Sequence, residues 1–437
     1  MSTMHRYALP VEQTGWSFEA KSEINFVWEY DNEREKLLQL YDKGKKQQWD
    51  AAERIDWSEE VDWENPMSLP DESIAIFGSD AWNKMNDKNK AEVRRHLQSG
   101  TISQFLHGEQ GALIATAKIV ATVPHLDAKF YAATQVMDEA RHVEAYNRLL
   151  HEKMELAYPM TPGLKTLLEQ GLTDSRWDMT YLTMQILIEG LALAAFQRLR
   201  DQAGNTLAQA VNAYVMQDEA RHVAFGRLAL RDYYPQLTDA ERKEREEFVV
   251  EACYHMRDRF LQTEVWQNIG FSKAEIADVV DKSEGIAPFR QRLFTRIVPT
   301  VKDIGLWGDG VRKAYNDMGV IQYSEIDAEA LLEHDNKVAE DFDAKRFVER
   351  EVGVEVAGYD EHGVVGLVVL PIERLQALDR HVLDVRSRTD RRVRVVVPEI
   401  GGRHHPLLED PERTVLSGLH LVANDGHFGR EVLRRDE

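Results

Sequence analysis

From about residue 87 the chain places apolar side chains at three- and four-residue spacing, the period of a helix that buries one face. Four long segments carry this pattern. The first covers about 88–122 and stops before Pro124, and the second covers about 126–157 and stops at Pro159. The third starts near Thr173 and Asp174, both read as N-caps, and runs to Gly204; the fourth follows at about 205–232. The longest connection, about 158–172 with Pro159, Pro162 and Gly163, falls between the second and third, where a bundle places a crossover. A fifth helix over about 238–269 opens with Thr238-Asp239-Ala240-Glu241, the form of a capping box. Helical patterning returns at about 286–318 and 327–345, and the acidic stretch 334–343 reads as a solvated face. The pattern predicts a mainly α fold: a four-helix bundle with additional helices.

The two ends differ from this middle. Residues 1–87 are acidic and carry Trp16, Trp28, Trp49, Trp57, Trp63 and Trp82, which reads as an irregular arm with short helices, packed on the main domain or on a second subunit. After Lys345 there is no further lysine, and β-rich runs occur at Val364–Leu370 and Val393–Val397. The run VVGLVVL followed by PIERLQALDR reads as strand then helix, so 346–437 is expected to form a small C-terminal α/β appendage. The expected organisation is therefore an arm (1–87), a helical bundle (88–325), an acidic helical linker (326–345) and the appendage.

Within the bundle the sequence repeats itself. Residues 138–143 and 218–223 both read Asp-Glu-Ala-Arg-His-Val. Each copy holds a Glu-x-x-His pair, Glu139/His142 and Glu219/His222, and on a helix three residues advance about 300°, which puts both side chains on one face. Glu109 and Glu189 stand on otherwise apolar faces of the two other long segments, where an unpartnered charge is costly. Glu109 precedes Glu139 by 30 residues and Glu189 precedes Glu219 by 30, so the two halves are offset by 80 throughout. Four carboxylates and two imidazoles make an oxygen-rich donor set suited to a pair of iron or manganese ions.

Composition narrows the remaining choices. A formal net charge of −21 disfavours nucleic acid as a partner. The single cysteine, Cys253, excludes a disulfide framework and a thiolate-rich cluster and fits a reducing compartment. No run approaches the roughly 18 uninterrupted apolar residues of a spanning helix, so a cytoplasmic chain with no membrane association is expected. A Gly-rich nucleotide fingerprint is missing, so electrons for any redox chemistry would come from a separate reductase or ferredoxin.

These residues resemble the ferritin-like di-iron carboxylate superfamily over about 88–232. In their Asp-Glu-x-Arg-His form they look most like the bacterial multicomponent monooxygenase hydroxylases and the benzoyl-CoA epoxidases. The resemblance implies a ferritin-like bundle and oxygen activation, with Glu109, Glu139 and His142 on one iron and Glu189, Glu219 and His222 on the other, some of the carboxylates bridging. By the same resemblance, Asp138 and Asp218 would each hold the histidine of the opposite repeat, balanced crosswise by Arg141 and Arg221. Phe105, Gly108 and Ala112 beside Glu109, with Leu193 and Phe196 beyond Glu189, would wall an apolar substrate cavity.

Three positions separate this chain from relatives in that superfamily. Leu193 stands where the hydroxylases carry threonine, and Val215 stands where the arylamine N-oxygenases add a third histidine. Tyr146 has the spacing of the ribonucleotide reductase radical tyrosine, but the last tyrosine in the chain is Tyr359. The expected function is O2-dependent oxidation of a small, largely apolar organic substrate by an iron pair, with Mn/Fe as the other metal choice and a homodimer as the expected assembly. Ferritin-type iron handling and a radical-generating subunit are the alternatives that share this ligand set.

Overall fold

The computed structural model describes residues 7–9, 15–28, 30, 34–259, 262–280 and 290–351, together with short strands beyond them. Contacts divide the chain into two units, Met1–Ala339 and Glu340–Glu437. In the first, α1 (Glu35–Lys46) precedes the bundle helices α2 (Asp87–Thr122) and α3 (Leu126–Arg148). Then come α4 (Pro162–Thr173), α5 (Trp177–Gln202), α6 (Thr206–Tyr233) and α7 (Asp239–Arg259). The last long helix, α8, covers Ala328–Glu351 and crosses the boundary between the units.

Local chemistry sets most of these ends. Asn86 caps α2 by accepting from the Asn89 N–H, and Asn205 caps α6 by accepting from Ala208. At α7 the Thr238 hydroxyl accepts from the Glu241 N–H while the Glu241 carboxylate accepts from the Thr238 N–H, so the expected capping box is present. Pro162 sits in the first turn of α4, where its missing N–H costs nothing. Neither Thr173 nor Asp174 caps the third long helix. Thr173 ends α4, and Asp174 is held by Arg176, so α5 starts at Trp177. Residues 286–289 of the helical pattern over 286–318 lie outside the described residues; the rest is helical at 290–292 and in the short helices Ile297–Asp303 and Asp309–Asp317, the last two separated by a turn at Gly305, which has a φ of 84°.

The bundle consists of α2 packed on α3 and α5 packed on α6, with α3 meeting α6 between the two pairs. Residues 123–125 turn α2 back into α3, whereas the longer passage from α3 to α5 holds α4. Helix α1 lies across both α3 and α6. Trp177–Gln202 is long and apolar enough to cross a membrane, yet 94% of its apolar window is buried inside the fold, the signature of a core helix. In the arm, Met67, Ile76 and Trp82 are buried, and the last two pack with Val93, Trp266 and Ile276; Ile24, Phe26, Trp28 and Tyr30 are exposed.

In the second unit, β1 (Tyr359–Asp360) pairs antiparallel with β2 (Gly363–Val364). Strands β3 (Val382–Arg386), β4 (Arg392–Val396) and β5 (His420–Ala423) form an antiparallel sheet in that order. The strand expected near Val393 coincides with β4. The helix expected after Pro371, and most of the strand expected at 364–370, lie outside the described residues.

The solvated face expected at 334–343 is interrupted. Asp335 is buried and receives both outer nitrogens of Arg296, at 2.7 and 2.9 Å, because this turn of α8 packs over the short helix from Ile297. Removing one partner of such a pair strands a buried charge. Asp335→Ala is therefore expected to lower stability by about 3 kcal/mol, seen as an earlier urea midpoint of the helical signal. An unchanged midpoint would show that this pair does not hold α8 in place.

Candidate metal centre

Each of the four bundle helices brings one glutamate inward, and α3 and α6 each add a histidine one turn further on. All six side chains are buried, Glu109 being the most exposed at 5%. Donor atoms of Glu109, Glu139, His142 and Glu219 lie within 4.8 Å of one another, and so do those of Glu139, Glu189 and His222. Two groups result, joined by Glu139. Glu219 Oε1 also stands between the histidines, 3.1 Å from His142 Nδ1 and 3.5 Å from His222 Nδ1, the placement of a bridging carboxylate. The cause is the close crossing of α3 and α6, which brings each Glu-x-x-His pair against the other.

The imidazoles are oriented from behind. His142 Nε2 lies 3.1 Å from Asp218 Oδ2, and His222 Nε2 lies 3.2 Å from Asp138 Oδ2. Each histidine is thus fixed by the aspartate of the other repeat, and its Nδ1 is left facing the glutamates. His142 Nδ1 stands 3.3 Å from Glu109 and 3.5 Å from Glu139, and His222 Nδ1 stands 3.2 Å from Glu139. The crosswise arginines are in place: Arg141 donates to Asp218 at 3.2 Å and Arg221 stands 3.5 Å from Asp138. Each arginine also binds the aspartate of its own helix, Arg141 to Asp138 and Arg221 to Asp218. Asp at i and Arg at i+3 share a helix face, so the local partner is within reach as well.

Burial and crowding strain this cluster electrostatically. Burial, followed by the nearby Glu219 carboxylate, pushes Glu109 up to about 8. The same causes, joined by Glu139, hold Glu189 well above the usual carboxylate range. Burial would also raise Glu139, but the two histidines outweigh it and lower its value. His142 and His222 are raised despite burial, His142 chiefly by Asp218 and His222 chiefly by Glu139. In the same cluster one oxygen each of Glu139 and Glu189, both oxygens of Glu219 and Nδ1 of His222 make no hydrogen bond.

Unpartnered donors at this density fit metal ions. Six buried carboxylates, counting Asp138 and Asp218, face only two buried guanidiniums, Arg141 and Arg221. With both imidazoles neutral, the excess is four negative charges, which two divalent cations cancel.

Beside the glutamates a narrow cavity is lined by Phe105, Gly108, Ala112, Met184, Ile188 and Phe196, together with Glu109, Glu189 and Glu219. Phe105 and Phe196 meet edge to face at 4.6 Å, and Tyr146 packs against both while its hydroxyl donates to Asn212 at 3.1 Å. Leu193 is not part of this wall. It lines a different pocket with Ala220, Val223 and Arg296, because at four residues past Glu189 it is rotated by about 40° toward α6. A π-helical segment, Leu182–Ile188, runs directly into Glu189. Opposite it, Gly226 allows α6 to approach so closely that a Cβ there would lie 2.5 Å from that of Gln185.

Sequence reasoning missed four residues around the cluster. Gln135, one turn before Glu139, donates to Glu139 at 2.9 Å and Glu189 at 3.0 Å. From the end of α1, Gln47 accepts from Arg221, Gln48 donates to Asp138, and the Trp49 indole donates to Asp218 at 2.8 Å. Gln135 carried a usable signal, its helical spacing from Glu139; the others are 90 or more residues from their partners. His107 is structural, with Nε2 on the Tyr158 carbonyl oxygen at 2.9 Å, and His404 and His405 lie outside the described residues.

No curated protein matches this sequence. Among solved structures, an aldehyde deformylating oxidase from Synechococcus is 16% identical, with a TM-score of 0.38, over 51% of this chain and 96% of its own. An R2-like ligand-binding oxidase from Sulfolobus acidocaldarius is 14% identical, with a TM-score of 0.35, over 64% and 90%. A mutant R2-like ligand-binding oxidase with an anaerobically reconstituted Mn/Fe cofactor is 15% identical, with a TM-score of 0.37, over 62% and 94%. The family described as p-aminobenzoate N-oxygenase AurF matches residues 31–305, a span that includes α1, all four bundle helices and every residue of the buried cluster. On that match the chain belongs to the AurF family of di-iron N-oxygenases.

Proposed function

We propose that this oxidoreductase inserts oxygen into a small aromatic substrate, with an arylamine nitrogen as the atom oxidised. Family membership makes the protein an O2-activating di-iron enzyme, and the family's name supplies the arylamine. The observation that carries the substrate class is the apolar cavity walled by Phe105 and Phe196 directly against Glu109, Glu189 and Glu219. When bound, the iron pair supplies the electrons that activate O2. Glu109, Glu139, His142, Glu189, Glu219 and His222 hold it, and Asp138 and Asp218 keep the two Nδ1 atoms facing inward. Phe105, Phe196 and Ala112 exclude water from the reacting face, while Gly108 leaves space for the ring, since no atom lies within 4 Å of where its Cβ would be.

Electrons come from a separate reductase or ferredoxin, because a single cysteine, Cys253, cannot hold an iron–sulfur cluster within this chain. A cytoplasmic location belongs to the same proposal, supported by that reduced thiol. The exposed side chains of Ile24, Phe26, Trp28 and Tyr30 support assembly as a homodimer.

Turnover with 4-aminobenzoate, a chemical reductant and 18O2 tests the reaction. Labelled oxygen in the hydroxylamine, nitroso or nitro product is expected; O2 consumption with no label in any organic product would leave only an oxidase. For the ligands, His142→Ala and Glu219→Ala should each reduce tightly bound iron from about two ions per chain to about one or none, with helical content unchanged by circular dichroism. Two tightly held ions in both variants would contradict the assignment. Gly108→Leu should fill the cavity, raising KM for the arylamine by tenfold or more while iron content stays at the wild-type level.

A further inference from the structure

The two Glu-x-x-His copies are identical, but the residue one turn ahead of each glutamate is not. Gln135 has Val215 as its counterpart 80 residues on, so only the first repeat carries a polar side chain one turn ahead of its glutamate. Gln135 is completely buried, and its amide N–H group reaches Glu139 at 2.9 Å and Glu189 at 3.0 Å while its carbonyl oxygen has no hydrogen-bond partner.

Both carboxylates that Gln135 touches belong to the group of three donors, Glu139, Glu189 and His222; the other group has four. Glu139 is shared by the two groups, whereas Glu189 belongs only to the three-donor one, so the poorer position is the one at which both glutamates are tethered. A carboxylate held by a buried amide has fewer orientations to lose when a cation arrives, so the tether lowers the ordering cost of binding there. Glu189 depends on it most. Its Oε1 accepts from Gln135, and its Oε2 has no hydrogen bond at all. Removing the amide would leave Glu189 with a cavity on one side and no fixed partner.

We infer that Gln135 is a positioning residue for one of the two ion positions: it holds Glu139 and Glu189 ready for the ion at the Glu139–Glu189–His222 position, which fills second. This rests on the ligand assignment proposed above. Its consequence is an ordered loading of the pair, with the four-donor position occupied first.

The test is anaerobic titration of the metal-free full-length protein with 57Fe(II) in competition with a chelator, followed by Mössbauer spectroscopy at one and two equivalents. Wild type should bind in two phases and give one quadrupole doublet at one equivalent and a second, distinct doublet at two. In Gln135→Leu the first phase should stay within threefold of wild type and the second should weaken tenfold or more. Gln135→Met, unbranched and of similar length, repeats the test should leucine disturb the packing. Equal weakening of both phases together with a lowered melting temperature would show a purely structural role and overturn the inference, as would two unchanged phases. Those outcomes leave the function proposed above intact. Failure of the wild-type protein itself to take up two ions would sink the ligand assignment and the inference with it.

Discussion

Four glutamates and two aspartates share one buried cluster with only two guanidiniums, and the rest of the bundle is built around that imbalance. Isolated ionised carboxylates in such surroundings cost many kcal/mol, and the crowding shows in the directions of their shifts: burial and neighbouring carboxylates push Glu109 and Glu189 upward, and the surrounding carboxylates raise both imidazoles despite burial. Two divalent cations would balance that charge, and because metal ligands must be deprotonated to bind, ion uptake here would be accompanied by proton release.

Support for the cluster is layered outward. Asp138 and Asp218 turn the imidazoles inward, Arg141 and Arg221 neutralise the aspartates, and the end of α1 completes the layer with Gln47, Gln48 and Trp49. Trp49 is also covered by the Arg141 guanidinium, 4.8 Å from its ring. The arm is thus part of the site's architecture as well as a cover for the bundle. That accounts for a family match that begins at residue 31, well before the first bundle helix. On the opposite side, the π-helical segment of α5 and the close approach at Gly226 set where Glu189 enters, next to the cavity walled by aromatic rings.

Much of this was legible in the sequence because it depends on periodicity. An identical hexapeptide on two helices, with glutamates 30 residues ahead of each copy, identifies six converging side chains without any knowledge of packing angles. What depended on packing was not legible. Leu193 missed the cavity because a rotation of about 40° on a helix changes which neighbour a side chain meets. That Glu219 lies between the histidines, nearer His142 than His222, follows from how closely α3 and α6 cross. Asp335, in an acidic stretch that reads as solvated, is buried because Arg296 waits for it from a distant segment. Trp49 looked like any other tryptophan of the arm, and only the fold brings its indole to Asp218.

The central claim is that this buried cluster holds a coupled pair of iron ions. Iron analysis combined with Mössbauer spectroscopy in zero and applied field, on the aerobically oxidised full-length protein, measures that directly. The account predicts about two irons per chain, both high-spin ferric and antiferromagnetically coupled into a diamagnetic ground state. One iron or fewer per chain with the magnetic spectrum of an isolated ferric ion, or hundreds of ferric ions per assembly, would contradict it.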